Sequence, residues 1–303
     1  MRSVFPTSLI DYRDRASVLI WVVLMTLAAQ RFLALPERSF TAIVLGSPIT
    51  LSITDSAILG ALLAGLVASG TEAVARAHPR NRRSRIYRNR AGSSGSLYVA
   101  DDRIEWVNPA SRNHWIFWGL PIALTAVAVL LLPLAPSVVY WVIGLIVTGL
   151  ALGFSMAGIY YTLDPFQPGY RRARLGMNAL TYAVALVLFL VVYRTRVRSM
   201  VSATEVLVVS GLLALELLRG SERPTVLVAL YAGITGLVLG QATWALNYWR
   251  LDSLTGGLVL LVVFYNVVGL AQHGLQGRIR RRVLLEYGLI TVAAMALIWE
   301  FAP

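Results

Sequence analysis

Residues 200–218 read MVSATEVLVVSGLLALELL, and three more apolar runs follow: TVLVALYAGITGLVLGQATWALNY (225–248), SLTGGLVLLVVFYNVVGLAQHGLQ (253–276) and VLLEYGLITVAAMALIWEF (283–301). An α-helix needs roughly 20 apolar residues to cross a bilayer core of about 30 Å, because each residue rises about 1.5 Å. Each run meets or approaches that length. This part of the chain therefore predicts four transmembrane helices in succession, over residues 201–218, 225–248, 253–276 and 283–301.

The rest of the chain has the same character. Hydrophobic residues make up 57% of the 303 residues and charged residues only 14%, which is too apolar for an ordinary soluble domain. Five further runs lie at residues 17–35, 56–75, 115–134, 138–162 and 175–193. We expect an all-α membrane protein: a polytopic bundle of about nine transmembrane helices, with a range of eight to ten, that makes residues 1–303 a single transmembrane domain.

Two segments interrupt this pattern. Residues 40–54 are rich in β-branched residues around Gly46-Ser47-Pro48, which predicts a short β-hairpin or extended loop after the first span. Residues 76–113 form the longest polar segment and predict a polybasic cytoplasmic loop between spans two and three. Its arginines are expected to contact anionic lipid headgroups; they are Arg76, Arg80, Arg82, Arg83, Arg85, Arg88 and Arg90.

The composition excludes several chemistries. All 27 basic residues are arginine, so no lysine can form a Schiff base, and no cysteine is present for thiolate catalysis or metal ligation. The three histidines, at positions 78, 114 and 273, are scattered. Zinc-protease, serine-hydrolase and P-loop motifs are lacking as well. We therefore predict no catalytic residue, no metal site and no cofactor. The net charge of +12 lies in loops, which favours lipid headgroups over nucleic acid as partners.

The distribution of arginine predicts the orientation. With the N-terminus in the cytoplasm, 21 of the 27 arginines fall in cytoplasmic segments, as the positive-inside rule requires. Arg194, Arg196 and Arg198 fall on the outer side, so the side of this loop is left open. We expect a bacterial cytoplasmic (inner) membrane protein with its C-terminus outside.

Polar residues inside the last four spans are the candidate functional residues. Ionisable side chains are costly within a membrane, so they usually face a partner, a water path or the bundle interior. One interpretation is a polar track through spans six to nine, formed by Glu205, Glu216, Gln241, Asn266, His273 and Glu286. The other is structural: Glu216 and Glu286 can each pair with an arginine on the same helix, Arg219 and Arg282.

Small residues predict where helices pack closely. Gly233, Gly236 and Gly240 lie on the same side of the seventh span. Gly149 and Gly153 form a small-xxx-small pair on the fourth span. Packing within the chain is the default interpretation. A contact with a second copy or with another membrane subunit is the alternative.

Three strings carry a resemblance: IYYTLDP (159–165), GQATWALNYW (240–249) and GGLVLLVVFYNVVGLAQHGLQGR (256–278). They resemble a family of bacterial multi-pass membrane proteins of unassigned function. The likeness extends over most of the chain except residues 79–112, which look like an insertion. It implies a similar helical bundle and no catalytic residues.

These observations favour a non-catalytic scaffold or accessory subunit of a membrane complex. The first alternative is a small-solute or proton-coupled permease that uses the polar track. The second is a membrane-embedded lipid-modifying enzyme.

Overall fold

Helices account for most of the chain in the computed structural model. It describes residues 7–32, 38–44, 47–53, 55–77, 98–100, 103–105, 114–163, 168–195, 199–220, 223–249, 251–278 and 280–300. These residues contain nine α-helices: α1 Thr7–Ala29, α2 Asp55–Ala77, α3 Gly119–Leu131, α4 Val138–Thr162, α5 Tyr170–Thr195, α6 Ser199–Leu218, α7 Thr225–Leu246, α8 Ser253–Leu275 and α9 Arg281–Glu300. Single 3₁₀ turns, His114–Phe117 and Leu132–Leu134, flank α3.

Two small antiparallel strand pairs lie between helices. Strand β1 (Arg38–Val44) pairs with β2 (Ser47–Ile53) between α1 and α2, with Arg38 opposite Ile53. Strand β3 (Tyr98–Ala100) pairs with β4 (Arg103–Glu105) in the segment between α2 and α3.

Eight of the helical segments are long and apolar enough to cross a membrane, judged by length and composition. They comprise α2, α4 to α9, and the segment Trp115–Leu134 that is built on α3. Helix α1 is not among them, since Arg13, Asp14 and Arg15 lie within it. Eight spans fall within the predicted range of eight to ten, and the helices fit a multi-pass membrane protein.

The start of α5 differs from the sequence-based expectation. The sequence places Arg171, Arg172 and Arg174 in the loop before the fifth span, but the helix begins at Tyr170 and includes all three. Gly169 precedes it with φ of 104°, a left-handed conformation that glycine adopts without a steric penalty. The amide of Ala173 donates to the Gly169 carbonyl, so the helix is established before the apolar run begins.

The core is centred on α3 and α6. The spans of these two helices are 61% and 56% buried, whereas α9 is 0% buried and packs on α8. Helix α3 contacts α2, α4, α5 and α6, and α6 makes its most extensive contact with α7. One continuous cluster of buried apolar side chains extends from Tyr12 in α1 to Leu275 in α8. Most large apolar side chains on α4, α7 and α9 face outward, as lipid-facing helices require.

Candidate functional site

Several arginines lie at one end of the bundle because of the directions in which the helices run. Neighbouring spans run in opposite directions, so the C-terminal ends of α4, α6 and α8 lie at the same end as the N-terminal ends of α5, α7 and α9. We call this the Arg-rich end. Arg174 lies near the start of α5, Glu216 lies in the last turn of α6, and Arg219 directly follows that helix. The connectivity thus places a carboxylate and two guanidinium groups at one level of the bundle.

These three side chains form a buried ion cluster. Arg219 Nε lies 2.7 Å from Glu216 Oε2, and Arg174 Nη1 lies 3.5 Å from Glu216 Oε1. The side chain of Glu216 is 0% exposed, and those of Arg219 and Arg174 are 4% and 15% exposed. The cluster carries one negative and two positive charges. Burying ions is costly unless each has a partner, and here every member has one.

A hydroxyl group and an aromatic ring stabilise the net positive charge of this cluster. Arg219 Nη2 donates to Thr162 Oγ1 at 3.0 Å, and its guanidinium carbon lies 4.7 Å from the centre of the Phe117 ring. Thr162 Oγ1 in turn donates to the Gly158 carbonyl at 2.7 Å. The cluster therefore joins α6 to the end of α4 and to the turn before α3, and a cation over an aromatic face is itself a favourable contact.

Side-chain donors also reach the last carbonyls of α6 and α8. Arg174 Nη2 donates to the Leu217 carbonyl at 2.8 Å, and Gln272 Nε2 from α8 reaches the same oxygen at 3.4 Å. Arg223 Nε donates to the Leu275 carbonyl at 2.7 Å. The final carbonyls of a helix lack intrahelical partners and carry partial negative charge, so cations are favourable there. The arrangement ties α4, α5, α6 and α8 together at one level.

A comparison with models of protein families identifies the family of this chain. The model described as "Protein of unknown function (DUF5656)" matches residues 35–300. The chain belongs to this family. The expected resemblance to an uncharacterised multi-pass membrane family is confirmed, and the match also spans residues 79–112. Neither the curated proteins nor the solved structures gave a match.

In this DUF5656 chain the residues of the polar track differ in burial and in hydrogen-bond partners. Glu205 is half-buried on α6, while Gln241 on α7 and Glu286 on α9 are exposed. Asn266 Nδ2 donates to the Val262 carbonyl on its own helix at 2.7 Å. His273 Nδ1 lies 2.9 Å from the Gly269 carbonyl, also on its own helix. Within the described residues, no hydrogen bond or ion pair joins two members of the track.

The two proposed helix-terminal ion pairs differ. Glu216 pairs with Arg219 as the structural interpretation expects, but both are buried and Arg174 joins them from another helix. Glu286 and Arg282 are both exposed, and within the described residues no ion pair joins them. Beside Glu286, the Tyr287 ring lies 5.8 Å from the ring of His273, in an edge-to-face arrangement.

The glycines of the DUF5656 bundle divide into packed and open positions. A Cβ on Gly236 would lie 2.5 Å from the Leu207 carbonyl oxygen on α6, and one on Gly240 would lie 3.0 Å from Leu207 Cβ. Gly149 and Gly153 on α4 face Leu24 and Ile20 of α1, at 2.9 and 3.9 Å. Gly233 has no neighbouring atom within 4 Å of such a Cβ.

One arginine of the predicted lipid-binding set is described. Arg76 is exposed, and its Nε lies 2.8 Å from Glu72 Oε1. Glu72 Oε2 accepts a hydrogen bond from Trp118 Nε1 at 3.2 Å, which links the end of α2 to the start of α3. The other six arginines, at positions 80 to 90, lie outside the described residues. No group of three or more potential metal ligands occurs in the described part of the chain.

Sequence reasoning missed Arg174 and Thr162. The sequence favours a loop at Arg174, because two other arginines stand beside it. Helical periodicity contained a signal, however: Met177 and Thr181 lie three and seven residues further on and are both buried, so Arg174 shares their inward-facing stripe, whereas Arg171 and Arg172 are exposed. Nothing in the local sequence of Thr162 indicates that it receives Arg219.

Proposed function

We propose that this chain is a non-catalytic membrane subunit that acts as a scaffold or accessory chain of a larger complex. The observation that carries the proposal is the buried ion cluster. Glu216 is the only carboxylate among the buried residues of the described part, and two arginines hold it in place. A charge committed to joining helices is suited to a rigid framework, and it is less suited to loading and releasing a solute.

The outward face of α7 supports a contact with another chain. Gly233, Leu237 and Gln241 are spaced four residues apart and are all exposed. A polar amide facing hydrocarbon lacks hydrogen-bond partners, and a small residue nearby allows another helix to approach closely. Both features are typical of helix–helix contacts within membranes, and they favour a partner subunit on this face.

The test is purification of the full chain in mild detergent from its native membranes, with stoichiometry measured by mass spectrometry. We expect a second protein at near one-to-one, and loss of that protein in the Gly233→Ile variant. Gly65→Ile is the matched control, because Gly65 on α2 is also exposed and has no neighbouring atom within 4 Å of an added Cβ. A homogeneous particle without a partner, or equal loss in both variants, would contradict the proposal.

The proposed orientation places the Arg-rich end in the cytoplasm. The arginine distribution supports this, because Arg13, Arg76, Arg174, Arg223 and Arg278 all belong to that end of the bundle. We propose a cytoplasmic N-terminus, an external C-terminus and a location in a bacterial inner membrane. The permease and the lipid-modifying enzyme stay alternatives predicted from the sequence, and no contact in the described residues favours either.

A further inference from the structure

A groove between α1 and α2 opens to the outside of the bundle at the Arg-rich end. It has a volume of about 470 Å³ and is lined by Asp14, Arg15, Val18, Val22 and Leu66, among others. Ligand pockets commonly measure ~300–1,000 Å³, so the space suits a small molecule or part of a larger one. Val18, Val22 and Leu66 are 62%, 41% and 37% exposed, so the groove presents apolar surface.

The close approach of the two helices forms the floor of the groove. A Cβ on Gly70 of α2 would lie 2.4 Å from Leu19 Cδ1 of α1, so only a glycine allows this contact without rearrangement. Arg15 Nη1 lies 3.5 Å from the Ala73 carbonyl and bridges the helices at the charged end. The groove therefore has a closed floor, one charged end and open apolar walls.

The apolar trough continues beyond Val22. A second hollow of about 420 Å³ is lined by Trp21, Val22, Met25 and Ala29, among others, and shares Val22 with the first. Arg15, Val18, Val22, Met25 and Ala29 are spaced three or four residues apart, so they form one stripe along α1. The helix rises about 22 Å from Asp14 to Ala29, which exceeds half the ~30 Å thickness of a bilayer core.

The charged end of the groove contains one acidic and one basic side chain. Asp14 and Arg15 are exposed, and within the described residues neither is in an ion pair. A guanidinium has five N–H donors and suits a phosphate, whereas a carboxylate accepts hydrogen bonds from an ammonium group. A zwitterionic headgroup satisfies both side chains. A headgroup with a phosphate but no ammonium leaves Asp14 without a partner, and a quaternary ammonium has no N–H to donate.

We infer that this groove binds one phosphatidylethanolamine molecule. Its phosphate contacts Arg15, its primary ammonium contacts Asp14, and one acyl chain lies along the Val18–Val22 stripe toward Ala29. The binding is non-covalent and does not depend on the accessory role proposed above. It involves other residues than the arginines at positions 80 to 90, and it distinguishes lipids by the ammonium group of the headgroup rather than by net negative charge.

The experiment uses the purified full chain, stripped of lipid in mild detergent. It is incubated with an equimolar mixture of phosphatidylethanolamine, phosphatidylglycerol and phosphatidylcholine with identical acyl chains, and the retained lipid is quantified by mass spectrometry after repurification. We expect phosphatidylethanolamine to be retained at least about tenfold better than either competitor, a preference equivalent to about 1.4 kcal/mol.

Five variants localise the binding. Val18→Trp fills the groove and should abolish retention, while Leu150→Trp, at a 70% exposed site on α4, should leave it unchanged. Asp14→Asn should lower phosphatidylethanolamine retention to the level of phosphatidylcholine. Arg15→Gln should lower retention of all three lipids, and Arg13→Gln, beside the groove, should not.

Four results would overturn the inference. Preferential retention of phosphatidylglycerol would mean that net positive charge attracts the lipid. Equal retention of all three lipids, or full retention by Val18→Trp, would mean that the groove holds only ordinary solvating lipid. A dimer that becomes monomeric in Val18→Trp would mean that a second copy of the chain covers the groove. Failure of the accessory-subunit proposal would not affect these results, because the experiment quantifies retained lipid and does not depend on a protein partner.

Discussion

Arg219 Nε lies 2.7 Å from Glu216 Oε2, three residues apart at the C-terminal end of α6, and the side chains are 4% and 0% exposed. Exposed pairs at this spacing stabilise a helix by only ~0.2–0.5 kcal/mol, because water screens them. A buried pair behaves differently, because removal of one partner leaves the other charge buried without solvent or a counter-ion. The Glu216 carboxylate is thus the residue on which the Arg-rich end depends.

Replacing Glu216 by glutamine should destabilise the bundle. The change leaves two buried arginines without a counter-charge, and breaking a buried ion pair costs about 3–5 kcal/mol. The measurement is thermal unfolding of the purified protein in detergent, followed by tryptophan fluorescence. Glu205→Gln is the control on the same helix, since Glu205 is half-buried and has no ion pair in the described residues. If Glu216→Gln unfolds like the parent but abolishes a measured proton or solute flux, the permease alternative gains support.

Arg174 should matter far more than the arginines beside it. Arg174→Gln removes the contact with Glu216 and the hydrogen bond to the Leu217 carbonyl, so we expect a loss of about 2 kcal/mol or more in the free energy of unfolding. Arg172→Gln changes an exposed residue on the same helix and should have little effect. Denaturation of both variants under identical conditions checks this. Equal effects would mean that Arg174 is solvated like its neighbours.

Gly236 should tolerate no side chain. Gly236→Val introduces atoms where a Cβ would already lie 2.5 Å from the Leu207 carbonyl oxygen, so α6 and α7 must move apart. Overpacking of this kind costs about 1–3 kcal/mol. Gly233→Val, on the same helix but open to the outside, should not lower the unfolding temperature of the isolated chain. Similar unfolding temperatures for both variants would contradict the close packing of these helices.

Tyr12 should anchor α1 to α4. Its hydroxyl donates to the Met156 carbonyl at 2.5 Å, and its ring lies 4.8 Å from that of Tyr160, in a buried setting. Tyr12→Phe keeps the ring and removes the hydrogen bond, so we expect a loss of about 1 kcal/mol. Tyr161→Phe, at a 43% exposed position, is the control. A loss confined to Tyr161→Phe would show that the anchor is elsewhere.

The orientation can be read by labelling single cysteines, because the native chain contains none. Two positions suit this labelling. Ser137 lies in the exposed turn between α3 and α4, and Gln276 lies at the Arg-rich end after α8. A membrane-impermeant maleimide should label the Ser137→Cys variant in intact cells and the Gln276→Cys variant only after the membrane is opened. The reverse pattern would invert the proposed topology.

The helical segments could be predicted closely from the sequence. The fourth predicted span, residues 138–162, coincides with α4, and the predicted eighth span, residues 253–276, extends one residue beyond α8. The reason is physical. A segment that crosses the hydrocarbon core needs an unbroken run of apolar residues of defined length, and its backbone N–H and C=O groups must be hydrogen-bonded within the helix. Where charges lie inside a helix, as at Arg174, the same rule places the helix boundary too late.

The candidate site was only partly predictable. Spacing along α6 correctly indicates that Glu216 can meet Arg219, because residues three apart share a helix face. The contacts of Arg174 with Glu216 and of Arg219 with Thr162 join residues 42 and 57 positions apart in the chain. They depend on which helices are neighbours and on how each is rotated. A lipid-exposed stripe and a buried stripe are both apolar in a membrane protein, so hydrophobic periodicity gives little guidance on that rotation.

By itself, then, the sequence determined a membrane-type helical chain, the approximate ends of its spans and the excess of arginine at one end. Only the tertiary structure decided that Glu216 lies between two arginines while Gln241 and Glu286 face outward. It also decided that Gly236 is packed whereas Gly233 is open. The physical reason is that insertion into hydrocarbon acts on each segment locally, whereas the pairing of charges and close-packed surfaces is a property of helices brought together from distant parts of the chain.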